Sequence, residues 1–118
     1  MSWELNDKLP IWPQLKEQMA RDIVIGKYAV GSHFPTVREL AQDAKVNRNT
    51  MQRALQSLEE DGLLITNRTV GRTVTSDKDL IDNMRKELAK SDIEQFKQNM
   101  ESLGLNIKDI IKLIKEEE

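Results

Sequence analysis

The sequence predicts a mainly α-helical protein with one small β-hairpin, made of an N-terminal domain over residues 1–76 and a helical segment over residues 77–118. Three observations lead to this expectation. Residues 35–58 have the pattern of two short helices joined by a tight turn. Two stretches rich in β-branched and apolar residues follow Gly62, and residues 77–118 carry apolar residues at helical spacing. A chain of 118 residues suits one small domain with an appendage.

The first helix of the pair is predicted to begin at Thr36, because residues 36–39, TVRE, have the form of a capping box. Pro35 blocks any continuous helix from upstream. Residues 45–47 form the predicted turn, and Asn47 is a favourable N-cap for the second helix. Together these signals predict a helix-turn-helix.

The second helix is predicted to have an apolar back and a polar front, with Gly62 as its C-cap. The residues at core spacing are Met51, Ala54, Leu55 and Leu58. The polar side carries Arg48, Asn49, Gln52, Arg53 and Gln56. Such side chains can bind base edges or phosphates of DNA. The alternative is an ordinary helical hairpin with a solvated face.

After Gly62, residues 63–66 and 73–75 predict two strands with a turn over residues 67–72. A hairpin directly after a helix-turn-helix is a winged helix. The predicted wing tip offers Arg68, Thr69 and Arg72 to phosphates or a minor groove. The alternative is a stabilising hairpin with solvated arginines, but the two motifs in succession are far more specific than either alone.

Upstream, a polar lead-in over residues 1–10 precedes a helix whose start is bracketed by Pro10 and Pro13, with Pro13 in its first turn, and which ends at Gly26. The connector that follows is expected to fill the core with three side chains, Tyr28, Val30 and Phe34. His33 is the single histidine, without cysteine or an acidic cluster nearby, and makes no convincing metal site. We expect it in a solvated loop, with a phosphate contact as the second option.

Residues 77–118 are predicted to be helical, with a break near Lys90 where residues 91–94, SDIE, form a second capping-box match. Gly104 closes this stretch, and Asn106 caps a last helix. The candidate dimerisation residues are Leu80, Met84, Leu88, Phe96, Met100, Leu103, Ile107, Ile110, Ile111 and Ile114. Short helices cannot bury so much apolar surface alone, so they must pack on the first domain, a second copy or another protein. A twofold contact is the commonest answer, and it would present two helices to an inverted repeat.

Composition excludes several classes of function. No cysteine is present, so disulfides and thiolate metal sites are excluded and a cytoplasmic setting is expected. The chain has no apolar run that could span a membrane and no signal-peptide pattern at its start. Aromatic residues make up only 4%, which argues against single-stranded nucleic acid as a ligand. We expect no metal and no cofactor.

Charge is distributed unevenly along the chain, whose net charge is −2. Residues 1–76 hold ten Lys/Arg and nine Asp/Glu, whereas residues 77–118 hold eight Lys/Arg and eleven Asp/Glu. The acidic excess therefore lies in the C-terminal segment. A local basic patch is predicted on the N-terminal domain, and a dimer would double it.

Three further functions are weighed against a DNA reader without an effector. An enzyme is improbable, because no Ser or Cys nucleophile accompanies a base. A winged helix that docks on protein, without DNA-binding activity, is the main rival to a DNA reader. A regulator controlled by a small-molecule effector is the third possibility; its pocket would lie at a dimer interface or between the segment and the first domain.

The sequence resembles the GntR family of bacterial transcription regulators. The matching stretches are GKYAVGSHFPTVRELA over residues 26–41, VNRNTMQRAL over 46–55 and LEEDGL over 58–63. The short C-terminal segment, with Phe96 and the Leu-Gly-Leu run at residues 103–105, resembles the YtrA branch. The resemblance implies a homodimeric winged-helix repressor on a palindromic operator, often that of an ABC-transporter operon.

The resemblance also implies DNA contacts, position by position. Arg38 matches an arginine that approaches DNA from the first helix, and Arg48 matches a base reader. Asn49 and Thr50 match neighbouring contact positions, and Gln52, Thr69 and Gly71 also stand at positions of the family pattern. Arg53, Arg68 and Arg72 complete the candidate DNA-binding residues because they belong to the predicted basic patch. Two departures stand out: Gln52 replaces an arginine of several members, and Thr69 replaces the first glycine of the usual Gly-x-Gly wing, which leaves the conformation of the wing tip open.

Overall fold

The computed structural model of the protein describes residues 3–117. The first two residues of the predicted lead-in, and both outer limits of the predicted domains, lie outside this range. Five helices and one two-stranded antiparallel sheet follow along the described chain: α1 (Ile11–Val24), α2 (Val37–Ala44), α3 (Arg48–Glu60), β1 (Leu64–Asn67), β2 (Gly71–Val74), α4 (Lys78–Glu101) and α5 (Ile107–Glu117). The predicted fold class, mainly helical with one hairpin, is confirmed.

Two compact units divide the chain, residues 1–85 and residues 86–118. The boundary falls inside α4 and lies nine residues after the one expected from the sequence. The first turns of α4 belong to the first unit because Ile81 is buried there.

The core of the first unit joins α1, α3 and the hairpin. Its fully buried large side chains are Leu15, Met19, Met51, Leu55, Leu58, Leu63, Leu64 and Val74. The members on α1 and α3 recur at helical spacing, so each helix turns one apolar stripe inward. Lys16 adds an ion pair at 2.7 Å to Asp61, the C-cap of α3. This packing holds α3 firmly and leaves its polar face outward.

The connector between α1 and α2 differs from expectation at one position. Phe34 is buried, as expected of a core residue, and packs against the half-buried Tyr28 with ring centroids 4.7 Å apart and ring planes tilted by 52°. Val30 is 46% exposed, so its predicted place in the core is wrong. The reason is that the connector pairs with β2: the amide of Gly31 donates to the carbonyl of Val74 at 2.9 Å, which fixes the connector at the edge of the hairpin.

The C-terminal helices differ from expectation at the predicted break. α4 runs without interruption from Lys78 to Glu101, so a helix end near Lys90 is wrong. No glycine or proline interrupts this stretch, and good helix formers lie on both sides of the Ser91-Asp92 pair, at residues 87–90 and 94–95, so propensity outweighs the capping-box pattern. Gly104, at φ +81°, ends the turn after α4 as predicted.

Asn106 caps α5 as predicted. Its Oδ1 accepts from the amide of Asp109 at 3.0 Å, and Asp109 Oδ2 accepts in return from the amide of Asn106 at 3.0 Å. Within residues 3–117, no helix combines the length and apolar character needed to cross a membrane.

Candidate nucleic-acid interface

The turn between α2 and α3 is built by local capping. Thr36 Oγ1 accepts from the amide of Glu39 at 3.1 Å, and Asn47 Oδ1 accepts from the amide of Asn49 at 2.7 Å. Lys45 adopts the left-handed conformation at φ 58°, which reverses the chain between the helices. The amide of Val46 then bonds the carbonyl of Ala41 at 3.0 Å. Both predicted N-caps are confirmed, and the three-residue turn sets α3 at a fixed angle on α2.

The exposed face of α3 carries the polar residues predicted for it. Its buried residues are Met51, Ala54, Leu55 and Leu58, all with no more than traces of exposed surface. Arg48, Asn49 and Arg53 are exposed, whereas Thr50 and Gln52 are half-buried. Because Arg48 is the first helical residue, its guanidinium stands at the N-terminal end, where recognition helices present side chains to bases. Arg38 is exposed on the first turn of α2.

Arg53 has a partner that sequence reasoning missed. Its guanidinium carbon lies 4.7 Å from the centre of the Trp12 ring, within the range of a cation–π contact. Trp12 lies in the first turn of α1, 41 positions earlier in the chain, so no local pattern could reveal the pair. The contact restricts the Arg53 side chain while leaving its charge at the surface.

The wing is a tight hairpin with a defined tip. Leu64 pairs with Val74 and Asn67 with Gly71, so residues 68–70 form the turn. Asn67 Oδ1 accepts from the amide of Thr69 at 2.8 Å, which makes an Asx turn. Gly71 has φ +82°, a conformation that favours glycine, and a Cβ built there would meet no atom within 4 Å. One glycine and one asparagine thus define the tip, although Thr69 stands where the family usually has glycine.

The two wing arginines have different surroundings. Arg68 and Thr69 are exposed at the tip. Arg72 lies within β2, its side chain is only 17% exposed, and its Nε donates to Glu59 Oε1 on α3. Thr66 Oγ1 donates to the other oxygen, Glu59 Oε2, at 2.6 Å.

The Glu59 carboxyl therefore accepts two side-chain hydrogen bonds, and these affect its pKa. Burial raises the pKa of Glu59, but hydrogen bonds from Thr66 and Arg72, with the charge of Arg72, outweigh burial and hold the pKa below its usual value. At neutral pH the carboxylate is ionised.

His33 lies in the connector that extends the hairpin. It forms an antiparallel bridge with Thr73, and the amide of Phe34 donates to the carbonyl of Arg72 at 2.9 Å. The side chain of His33 is exposed, as expected of a solvated residue. No group of three or more His, Asp and Glu side chains within residues 3–117 is arranged to hold a metal ion.

The predicted dimerisation residues fall in both compact units. In the first unit, Leu80 and Met84 are half-buried. In the second unit, Ile110 is buried, and Leu88 and Met100 are half-buried. The remaining members are exposed: Phe96, Leu103, Ile107, Ile111 and Ile114. The second unit therefore carries a large apolar surface that the chain itself does not cover.

Comparison with known proteins identifies the relatives of this arrangement. Residues 12–74 match the family of bacterial regulatory proteins named gntR. YhcF of Bacillus subtilis, an uncharacterized HTH-type transcriptional regulator, is 30% identical over 98% of this chain and 95% of its own length. YtrA of the same organism, an HTH-type transcriptional repressor, is 28% identical over 91% of this chain and 83% of its own length.

Solved structures agree with the sequence relatives. A GntR family transcriptional regulator from Listeria monocytogenes has a TM-score of 0.85 and 37% identity, covering 95% of this chain and 98% of that one. The DNA-binding domain of AraR in complex with operator ORE1 has a TM-score of 0.54 and 31% identity, covering 64% of this chain and 94% of that one. The expected resemblance, including the likeness to YtrA, is confirmed.

Proposed function

Because the chain belongs to the GntR family of bacterial regulatory proteins, we propose that this DNA-binding transcriptional regulator is a homodimeric repressor of an inverted-repeat operator. Like its relatives, the chain is a transcriptional regulator and not an enzyme. The observation that carries the proposal is the exposed polar face of α3, fixed by a buried apolar back and flanked by a wing with an exposed arginine at its tip.

Sequence choice is assigned to the N-terminal end of α3. The guanidinium of Arg48 can donate to both N7 and O6 of guanine, and such a pair discriminates between bases by about 1–3 kcal/mol. Asn49, Thr50 and Gln52 follow on the same helix and supply further donors and acceptors.

Affinity without sequence choice is assigned to arginines that would meet phosphates. Arg38 on α2 and Arg68 on the wing are exposed, and Arg53 is held over Trp12. Thr69 and the exposed backbone at Gly71 complete the proposed wing contact. Contacts of this kind set the register on DNA and make binding salt-dependent.

Dimerisation is assigned to the exposed apolar side chains of the second unit. Phe96, Leu103 and Ile111 are between 42% and 70% exposed, a costly arrangement for an isolated chain in water. A second copy is the simplest cover, because a twofold contact is self-complementary and yields two recognition helices.

Repression rests on the likeness to YtrA, which is described as a repressor. An ABC-transporter operon as the target rests on the family resemblance alone. Both parts of the proposal concern the genes and not the geometry of the protein.

An effector, if one acts here, has a candidate site in the first unit. A cavity of about 260 Å³ lies among the end of α1, Tyr28 and the first turns of α4. Ile23, Val24 and Ile81 supply apolar wall, and Lys78 supplies positive charge. Arg85 also lines the cavity, but its guanidinium is paired with Asp82 and donates to the carbonyl of Val24. A small anionic molecule with an apolar body fits this lining. A thermal-shift screen of small aliphatic and aromatic carboxylates tests it, and any stabilisation should disappear in Lys78→Gln.

The experiment that tests the proposed function is selection from random duplex DNA with full-length protein at physiological salt, with Arg48→Ala in parallel. We expect an inverted repeat with wild type and a flattened preference with Arg48→Ala. Arg38→Ala should weaken binding to all sequences about equally. Identical preference profiles for wild type and Arg48→Ala would refute the role of Arg48.

The rival function, a winged helix that docks on protein, predicts a different outcome. The full-length protein would then form a dimer or a protein complex yet enrich no sequence and show no salt-dependent affinity for DNA. Sedimentation of the same preparation decides whether a failed selection reflects a missing dimer.

A further inference from the structure

One carboxylate on the recognition helix accepts hydrogen bonds from both strands of the wing. Glu59, in the last turn of α3, accepts from Thr66 Oγ1 through Oε2 at 2.6 Å and from Arg72 Nε through Oε1. Thr66 and Arg72 are directly opposite each other in the hairpin register. Side chains of opposite residues lie on the same face of a hairpin, so both reach the same acceptor. We call this set (Glu59, Thr66 and Arg72) the Glu59 clamp.

The surroundings of the clamp strengthen it. The side chains of Glu59 and Arg72 are 27% and 17% exposed, so water screens their attraction less than at an open surface. Bonds to a charged acceptor are stronger than neutral ones. The carboxylate is ionised at neutral pH because Thr66 and Arg72 lower the pKa of Glu59 despite its burial.

The wing needs such a contact to hold a defined direction. A two-stranded hairpin is marginally stable by itself in water. β1 and β2 have four residues each, and the tip over residues 68–70 is exposed. The connector strengthens β2 from one edge, through the bridge between His33 and Thr73. The buried Leu64 and Val74 hold the base of the hairpin in the core, and the Glu59 clamp adds polar contacts from Thr66 and Arg72, nearer the tip, to α3.

We infer that Glu59 is a positioning residue of the DNA interface, which holds the wing at a fixed distance from the recognition helix, and that Arg72 serves this clamp instead of binding phosphate. The inference rests on the proposed function. A recognition helix and a wing read separate parts of one duplex, so a fixed spacing between them removes an ordering cost on binding. Arg68 remains the phosphate ligand of the wing.

The first experiment compares Glu59→Gln with Glu60→Gln. Both variants replace a carboxylate by an amide in the same helical turn, but Glu60 is exposed and lies outside the clamp. We expect Glu59→Gln to lose about tenfold in operator affinity, the effect of roughly one charge-assisted hydrogen bond. In a selection it should keep the preferences that depend on Arg48, because the wing is assigned phosphate contacts that do not choose between bases. Glu60→Gln should match wild type.

The second experiment separates a clamp residue from a phosphate ligand by salt dependence. Arg68→Gln should lower the slope of log affinity against log salt by about 1 for each wing bound. Arg72→Gln, made in the Glu59→Gln background so that no unpaired carboxylate remains, should leave the slope of that background unchanged.

A milder pair of variants guards against loss of folding. Thr66→Val removes the hydroxyl and should weaken operator binding, whereas Thr66→Ser keeps the hydroxyl and should bind like wild type. Equal binding by Glu59→Gln and Glu60→Gln would overturn the inference, and so would an Arg72 variant that lowers the salt slope as Arg68→Gln does. A wild-type protein that selects no DNA would defeat the proposed function itself, and this inference with it.

Discussion

The two compact units differ in how many of their large apolar side chains they bury. Residues 1–85 enclose a core in which side chains such as Leu15, Met51 and Leu55 are completely buried. In the second unit, the described residues bury one large side chain, Ile110, and leave seven large apolar side chains exposed: Ile93, Phe96, Leu103, Ile107, Ile111, Leu113 and Ile114. Among residues 3–117, the first unit has a closed core and leaves five large apolar side chains exposed, whereas the second leaves most of its large apolar side chains exposed.

This contrast matches the two requirements of the proposed function, a dimeric DNA reader. The recognition helix must be held rigidly, and it is held by a closed core. The proposed dimerisation surface must remain available to a second copy, so its apolar residues cannot be buried within the same chain. A change in the core should therefore alter stability, and a change on the open surface should alter association.

The largest effect is expected from Leu55→Ala. Leu55 is fully buried on α3, so the truncation should lower the free energy of unfolding by about 2–5 kcal/mol. Ile65→Ala is the control, because Ile65 is 50% exposed on β1 and should change stability by less than about 0.5 kcal/mol. Urea denaturation followed by circular dichroism measures both. Equal losses would contradict the description of a closed core.

The open surface is tested by Ile111→Asp. A charge placed there should oppose burial in an interface and weaken dimerisation by about 2 kcal/mol, or roughly 30-fold in the dissociation constant. Lys108→Gln is the matched control, since it changes net charge by the same amount at an exposed polar position of α5. Sedimentation across a range of concentrations gives the constants. A dimer that tolerates Ile111→Asp would place the interface elsewhere.

Local chemistry made much of this fold predictable from sequence. The caps at Thr36, Asn47 and Asn106 each involve residues two or three positions apart, and all three were predicted. The same kind of pattern failed at residues 91–94, where the uninterrupted run of helix-forming residues outweighed the cap. Short motifs identify a helix end only when the backbone beyond them is free to leave the helix.

Contacts between distant residues were beyond such reasoning. Trp12 and Arg53 meet because α1 packs on α3, and Glu59 meets Arg72 because the hairpin folds back onto the end of α3. Spacing along the chain encodes neither approach. The sequence therefore predicts which residues belong to the candidate interface, but it cannot assign Arg72 to a partner within the protein.

A pair of glycines sharpens the comparison between the units. Gly62 and Gly104 both end helices with φ near +80°, so an alanine at either should cost about 1 kcal/mol in backbone strain. A Cβ built at Gly62 would lie 2.8 Å from Leu80 Cδ1. A Cβ built at Gly104 would meet no atom within 4 Å beyond its chain neighbours. Gly62→Ala should therefore destabilise more than Gly104→Ala, by up to about 1 kcal/mol, because Leu80 must shift. Equal denaturation midpoints for Gly62→Ala and Gly104→Ala would mean that Leu80 can shift at no measurable cost in stability.

The smallest effect is expected from acid, and it concerns the clamp on the rigid unit. The folded state holds the pKa of Glu59 below its value of 4.5 in the unfolded chain, so the ionised carboxylate stabilises the fold above that pH. This contribution should fade as pH falls from about 4.5 through the lower pKa of the folded state. Because the group is partly exposed, the contribution is about 1 kcal/mol or less.

Unfolding free energies of wild type, Glu59→Gln and Glu60→Gln between pH 3 and 7 provide the measurement. Wild type should exceed Glu59→Gln at neutral pH and converge with it in acid, while Glu60→Gln should show a smaller dependence. A gap that stays constant across this range would mean that Glu59 stabilises the fold through packing and not through its charge. In that case packing would hold the wing in place, and the attraction between Glu59 on α3 and Arg72 on β2 would not set the direction of the wing.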